Sequence, residues 1–165
     1  KVLDAIVGGW RLSGVNTMTS GQPINFRLPT SNVTNNLPTF LGGVAIRPNA
    51  TCDPVNRGTR TNPTREYFLP VGVCLTAPTL SSPFGSAGRN IARSNKYFNL
   101  DFALEKEFKL PINDYTKLEI RGEFFNALNK TNFQAANSDI TSGNFGVISS
   151  TFPARQVQVA IKVTF

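Results

Sequence analysis

Three stretches of the chain alternate apolar and polar residues with period two, and helical periodicity is nearly absent. At positions 156–165 every odd residue is apolar (Val157, Val159, Ile161, Val163, Phe165), whereas the even ones are Gln156, Gln158, Ala160, Lys162 and Thr164. Successive side chains of a β-strand point to opposite faces, so this pattern predicts a strand with one apolar side. At 97–109 the apolar set is Phe98, Leu100, Phe102, Leu104 and Phe108, interrupted by Lys106. It opposes Asn99, Asp101, Ala103, Glu105, Glu107 and Lys109. At 117–128 Leu118, Ile120, Gly122, Phe124 and Leu128 oppose Lys117, Glu119, Arg121 and Glu123, and the rule loosens where Phe125 and Asn126 exchange faces. A weaker alternation, with Trp10, Leu12, Gly14 and Met18 sharing a face with Asn16, predicts a fourth strand. The strands are therefore expected near 9–20, 97–109, 117–128 and 155–165. The turn formers at 111–115 (Pro-Ile-Asn-Asp-Tyr) predict a hairpin between the second and third.

The rest of the chain lacks periodicity. Positions 21–96 hold nine of the eleven prolines together with many Asn and Thr residues, and predict one very long loop. A loop of that length is unusual inside a compact domain and is normally functional or mobile. Positions 131–153 predict a second loop, rich in Asn, Ser and Gly.

Strands of this length allow two destinations for the apolar face. In a secreted β-sandwich it packs on a second sheet, and strands usually run about five or six residues. In an outer-membrane barrel it meets lipid, the polar face lines the lumen, and strands run about 9–11 residues. Length favours lipid, and so does the alternation of long outer loops with a short inner turn. The fold class expected is all-β, an antiparallel meander forming an incomplete segment of a transmembrane β-barrel, since closure takes about eight strands. Residues 1–165 then form the C-terminal fragment of such a barrel, and the apolar face should lie uncovered. The polar side chains Glu105, Glu107, Lys109, Lys117, Glu119, Arg121, Glu123 and Lys162 become lumen-facing charges of mixed sign.

Several blocks carry a resemblance. They are Gly8-Gly9-Trp10-Arg11-Leu12-Ser13-Gly14, Ser20-Gly21-Gln22-Pro23, Phe84-Gly85-Ser86-Ala87-Gly88-Arg89-Asn90 and Tyr97-Phe98-Asn99-Leu100-Asp101. Further along stand Glu123-Phe124-Phe125-Asn126-Ala127-Leu128-Asn129 with Thr131-Asn132-Phe133, then Phe145-Gly146 and Lys162-Val163-Thr164-Phe165. In this order they resemble the C-terminal part of TonB-dependent receptors of the Oar-like type, which are large outer-membrane transporters. The resemblance implies a plug inside a barrel of about 22 strands, coupled to the TonB complex through an N-terminal part that these residues do not include. A final strand carrying Val159, Ile161, Val163 and Phe165 also resembles the signal read by the barrel-assembly machinery. The expected partners are outer-membrane lipid, the remainder of the barrel and its plug, the TonB complex and that machinery. The expected location is the bacterial outer membrane.

Composition narrows the chemistry. There is no His among 165 residues, which excludes His-ligated metal sites, Ser-His-Asp triads and Cys-His dyads within the chain. Glu105/Glu107 and Glu119/Glu123 form same-face carboxylate pairs, about 7 Å or more apart by strand geometry, but they accompany no cleft signature. The chain is expected to be no enzyme and to carry no cofactor or metal. The net charge of +7 is concentrated at 21–96, which hold eight basic and two acidic residues, spread thinly and without a run. Nucleic acid is therefore not an expected partner. Cys52 and Cys74 fall in the same region with no Cys-x-x-Cys and no His nearby, a pattern that points to a disulfide over two unrelated thiols. The chain begins at Lys1 and reads as the middle and end of a longer protein. Energy-coupled uptake or surface binding at the outer membrane is the functional expectation, and a secreted β-sandwich for binding or adhesion is the alternative.

Overall fold

The computed structural model describes residues 6–28, 46–79, 84–112 and 115–165, which divide into two compact units. Asn113 and Asp114 of the expected hairpin turn, and parts of the expected long loop, lie outside the described residues.

The first unit comprises Lys1–Thr19, Tyr97–Asn132 and Phe152–Phe165. Its four strands are Trp10–Thr19 (β1), Tyr97–Lys109 (β6), Lys117–Phe125 (β7) and Gln156–Thr164 (β8). They form one antiparallel sheet in the order β1-β6-β7-β8, a meander with β1 and β8 at its edges. Three of the four match the alternation within a residue at each end. β7 stops at Phe125 instead of continuing to 128, because Asn126 adopts φ 49°, a left-handed conformation that ends pairing. None of Phe98, Phe102, Ile120, Val159 and Ile161 is buried, so among the described residues no second sheet covers the apolar face as a sandwich requires.

The second unit comprises Ser20–Lys96 and Phe133–Thr151, so the two segments read as loops contribute to one compact unit. Its core gathers Ile24, Phe26, Leu28, Tyr67, Phe68, Leu75, Ala92, Ala136, Ile140 and Ile148. The rings of Phe26 and Phe68 meet edge to face at 4.7 Å, and Phe145 stacks on Phe68 at 5.3 Å. Such aromatic pairs add about 0.5–1.5 kcal/mol each beyond their area burial. Secondary structure is minimal. Pro23–Ile24 (β2) pairs with Ala92–Arg93 (β5), and Asn49–Ala50 (β3) pairs with Leu75–Thr76 (β4). The segment 133–151 joins through backbone hydrogen bonds, among them Ile140 N–H to the Arg27 carbonyl at 3.2 Å and Ile148 N–H to that of Thr64 at 2.7 Å.

Beside the β3–β4 pair, Cys52 and Cys74 are bonded as a disulfide with Cα atoms 5.0 Å apart. Closing this loop contributes roughly 3 kcal/mol in the chain-entropy picture. The adjacent turn is held by Asp53, whose carboxylate accepts the Val55 amide at 3.0 Å and Arg57 Nη2 at 2.8 Å. The Val55 bond is the main reason its carboxyl sits below the usual 3.8, with Arg57 adding to it and partial burial opposing. Gly21 opens the unit at φ 93°, where a Cβ would strike the carbonyls of Ser94 and Asn95.

Candidate functional site

The register of the sheet aligns like with like across all four strands. One row runs Leu12, Leu104, Gly122, Val159, and the next runs Gly14, Phe102, Phe124, Val157. Phe102 and Phe124 stack at 4.6 Å within the second row. At the sheet edges the side chains stand open, with Leu12 at 72% and Val159 at 71% exposure. A continuous exposed apolar face of this size marks an interaction surface. Its chemistry, aliphatic and aromatic with no hydrogen-bonding pattern, suits hydrocarbon.

Lys106 is the exception on that face. It is 5% exposed, and its amine donates to the carbonyls of Ile6, at 3.3 Å, and Gly8. The ammonium also lies over the rings of Trp10 (4.9 Å) and Phe108 (5.2 Å). The stem covers apolar surface while the head finds oxygen, the snorkelling behaviour of long cationic side chains.

The opposite face brings the charged residues together in a ladder. Glu105 is buried between strands and accepts Arg11 Nη1 at 2.9 Å and Arg121 Nη1 at 3.1 Å. Arg121 Nη2 continues to Glu123 at 2.7 Å, so one chain of opposite charges crosses β1, β6 and β7. Arg121 Nε is buried with no hydrogen-bond partner. Two register positions set like charges opposite each other, Glu107 with Glu119 and Lys109 with Lys117. Such pairs are unfavourable, and the diagonal contact of Lys117 Nζ with Glu107 at 3.1 Å offsets them. Lys162 stands opposite Glu119 on β8. Arg11 belongs to this ladder, a member the sequence reading left out because alternation in β1 is weak.

The motif residues occupy the turning points of the chain. Gly9 (φ 72°) leaves room for the Glu107 carbonyl, and its own carbonyl accepts the Glu107 amide at 2.9 Å. Asn126 is locked where β7 ends. Its amide donates to Asp101 at 2.8 Å, its side-chain oxygen accepts the Lys130 amide at 3.0 Å, and its Nδ2 donates to the Lys130 and Pro153 carbonyls. Asn132 pairs side chain to backbone with Phe98, donating to its carbonyl at 2.8 Å and accepting its amide at 3.1 Å. That side chain supplies the hydrogen bonds a neighbouring strand would otherwise make. Val163 stands in register with Leu118, and Phe165, just past β8, is 95% exposed.

No helix among the described residues is long and apolar enough to cross a membrane. The only elements besides helices that cross a bilayer are strands closed into barrels, because each backbone polar group must be paired. The chain matches no curated protein and no solved structure. The family model described as outer membrane beta barrel domain matches residues 1–158. With its long two-faced strands and exposed apolar face, this chain belongs to the outer membrane beta barrel domain family, and the protein is located in the bacterial outer membrane.

Proposed function

We propose that the chain supplies strands and outer-surface structure to a TonB-dependent receptor of the Oar-like type, which takes up or captures a ligand at the cell surface without catalysis. The observation that carries this reading is how the chain is distributed. The β1–β6 and β7–β8 connections leave the same end of the sheet and contribute the residues of a unit with its own core and disulfide. The β6–β7 connection at the other end is short, with the Leu110 amide bonded to the Thr116 carbonyl at 3.1 Å. A passive pore has little need of connections built into a unit with its own core and disulfide, whereas a receptor uses them to meet ligand. The open edges of β1 and β8 call for further strands, since unpaired backbone groups are costly in lipid, and the charged ladder then faces the lumen and plug. The test is retention of the full-length protein on the immobilised periplasmic domain of TonB. Specific retention is expected. No retention, where an established TonB-dependent receptor is held, would overturn the energy-coupled reading.

β8 also fits the role of an assembly signal, because its free edge can be extended by another sheet and its face of Val159, Ile161, Val163 and Phe165 is strictly apolar. Deleting Phe165 from the full-length protein is expected to lower outer-membrane yield far more than Trp10→Ala. Equal yields of the two variants would leave Phe165 as one lipid-facing ring.

A further inference from the structure

The second unit contains an open cleft of about 510 Å³, in the size range of small-molecule sites. Arg57, Arg60, Arg93 and Lys96 line it, and no Asp or Glu does. Arg57 is spoken for, since its Nε and Nη2 both bind Asp53. The other three cations have no carboxylate within ion-pairing distance among the described residues. Gathering unpaired positive charge in one concavity is unfavourable by itself and raises the local potential for anions.

Arg60 is prepared for a ligand. Its Nε and Nη2 both donate to the Asn56 carbonyl, the first at 2.7 Å, and its guanidinium lies 4.8 Å over the centre of the Tyr67 ring. Neither contact uses Nη1. Tyr67 is itself fixed, 6% exposed, with its hydroxyl donating to the Arg93 carbonyl at 2.7 Å. Burial pushes its phenol above the ordinary 10.0, so the ring stays neutral and does not compete as an anion. Arg93 Nη1 donates to the Gly21 carbonyl at 3.2 Å, which fixes a second guanidinium. Two arginines with restricted geometry, plus an exposed lysine, match the needs of a tetrahedral oxyanion. Planar guanidinium forks bind phosphate directionally and an ammonium adds charge.

We propose that this cleft binds a phosphate group carried by a small molecule or a lipid headgroup, with Arg60, Arg93 and Lys96 as its ligands. The cleft is wider than bare phosphate, so the body attached to it occupies the remainder. Binding here needs no energy coupling, so its outcome is read independently of the TonB experiment. The test uses the full-length protein held in amphipol with three probes: inorganic phosphate, digalactosyldiacylglycerol vesicles carrying phosphorylated lipid A, and the same vesicles with dephosphorylated lipid A. Saturable, salt-sensitive binding of free phosphate, weakened roughly tenfold or more by Arg60→Gln with Lys96→Gln, supports a soluble source. Binding restricted to the phosphorylated vesicles and lost in the same variant supports a headgroup. Arg65→Gln removes a charge elsewhere in the unit, and its binding should match the unaltered protein. Absence of binding to every probe overturns the proposal. So does indifference to the double substitution, or an equal loss with Arg65→Gln.

Discussion

Replacing Val159 with lysine is expected to cost about 2–4 kcal/mol of stability in the membrane, the range for a cation at the bilayer midplane of an outer-membrane barrel. Val159 lies in the row with Leu12, Leu104 and Gly122. Apolar rows continue on both sides of it, to Met18 with Phe98 in one direction and to Phe108, Leu118 and Val163 in the other. A charge there has no end of the sheet within easy reach. The neighbouring substitution Gln158→Lys is the control. Gln158 is on the polar face opposite Glu123, so an added cation has a partner. Denaturant unfolding of the full-length protein in lipid vesicles, with outer-membrane yield alongside, measures both. Equal tolerance of the two lysines would place the apolar face outside hydrocarbon.

Truncating Phe26 is expected to destabilise the second unit by about 3–5 kcal/mol, the usual cost of removing a fully buried aromatic ring. Phe26 is 2% exposed and meets two other rings, Phe68 at 4.7 Å and Phe145 at 6.1 Å. The unit has few ladder hydrogen bonds to fall back on, because its strands are two residues long. Phe26→Ala should therefore open the backbone around Ile24 and Ile140 while the amides of β6 and β7 remain protected. Hydrogen exchange read segment by segment distinguishes this from global loss. Uniform deprotection of sheet and core would show that the two units unfold together.

The sheet was legible because strands that meet different solvents on their two faces must alternate, and 97–109 and 156–165 do so almost without exception. The end of β7 was only half legible. The swap of Phe125 and Asn126 marked a disturbance, but the left-handed turn depends on Asp101 and Pro153, which are distant in sequence. The second unit was illegible for a related reason. Its core residues come singly, separated by prolines and turns, and Ala136, Ile140 and Ile148 arrive from a segment that starts 37 residues beyond Lys96. No described stretch of this unit presents a periodic face, since its described strands are two residues long. Composition did locate the two cysteines and the excess of arginine there, but the grouping of Arg60, Arg93 and Lys96 around one cleft is a product of tertiary folding.

Lys106 has a consequence for the membrane that receives the protein. With its ammonium tied to the Ile6 and Gly8 carbonyls, the side chain cannot be drawn into hydrocarbon without giving up both acceptors. The ammonium lies over the Phe108 ring, so the Phe108 row marks one boundary of the apolar band, and Phe98, ten residues away on the same face, lies near the other. Ten residues of strand span about 34 Å, or about 26 Å along the normal at a tilt near 40°. Hydrophobic matching then favours a thin bilayer: in thicker lipid the annulus around these strands must compress, and the protein should partition away from such regions.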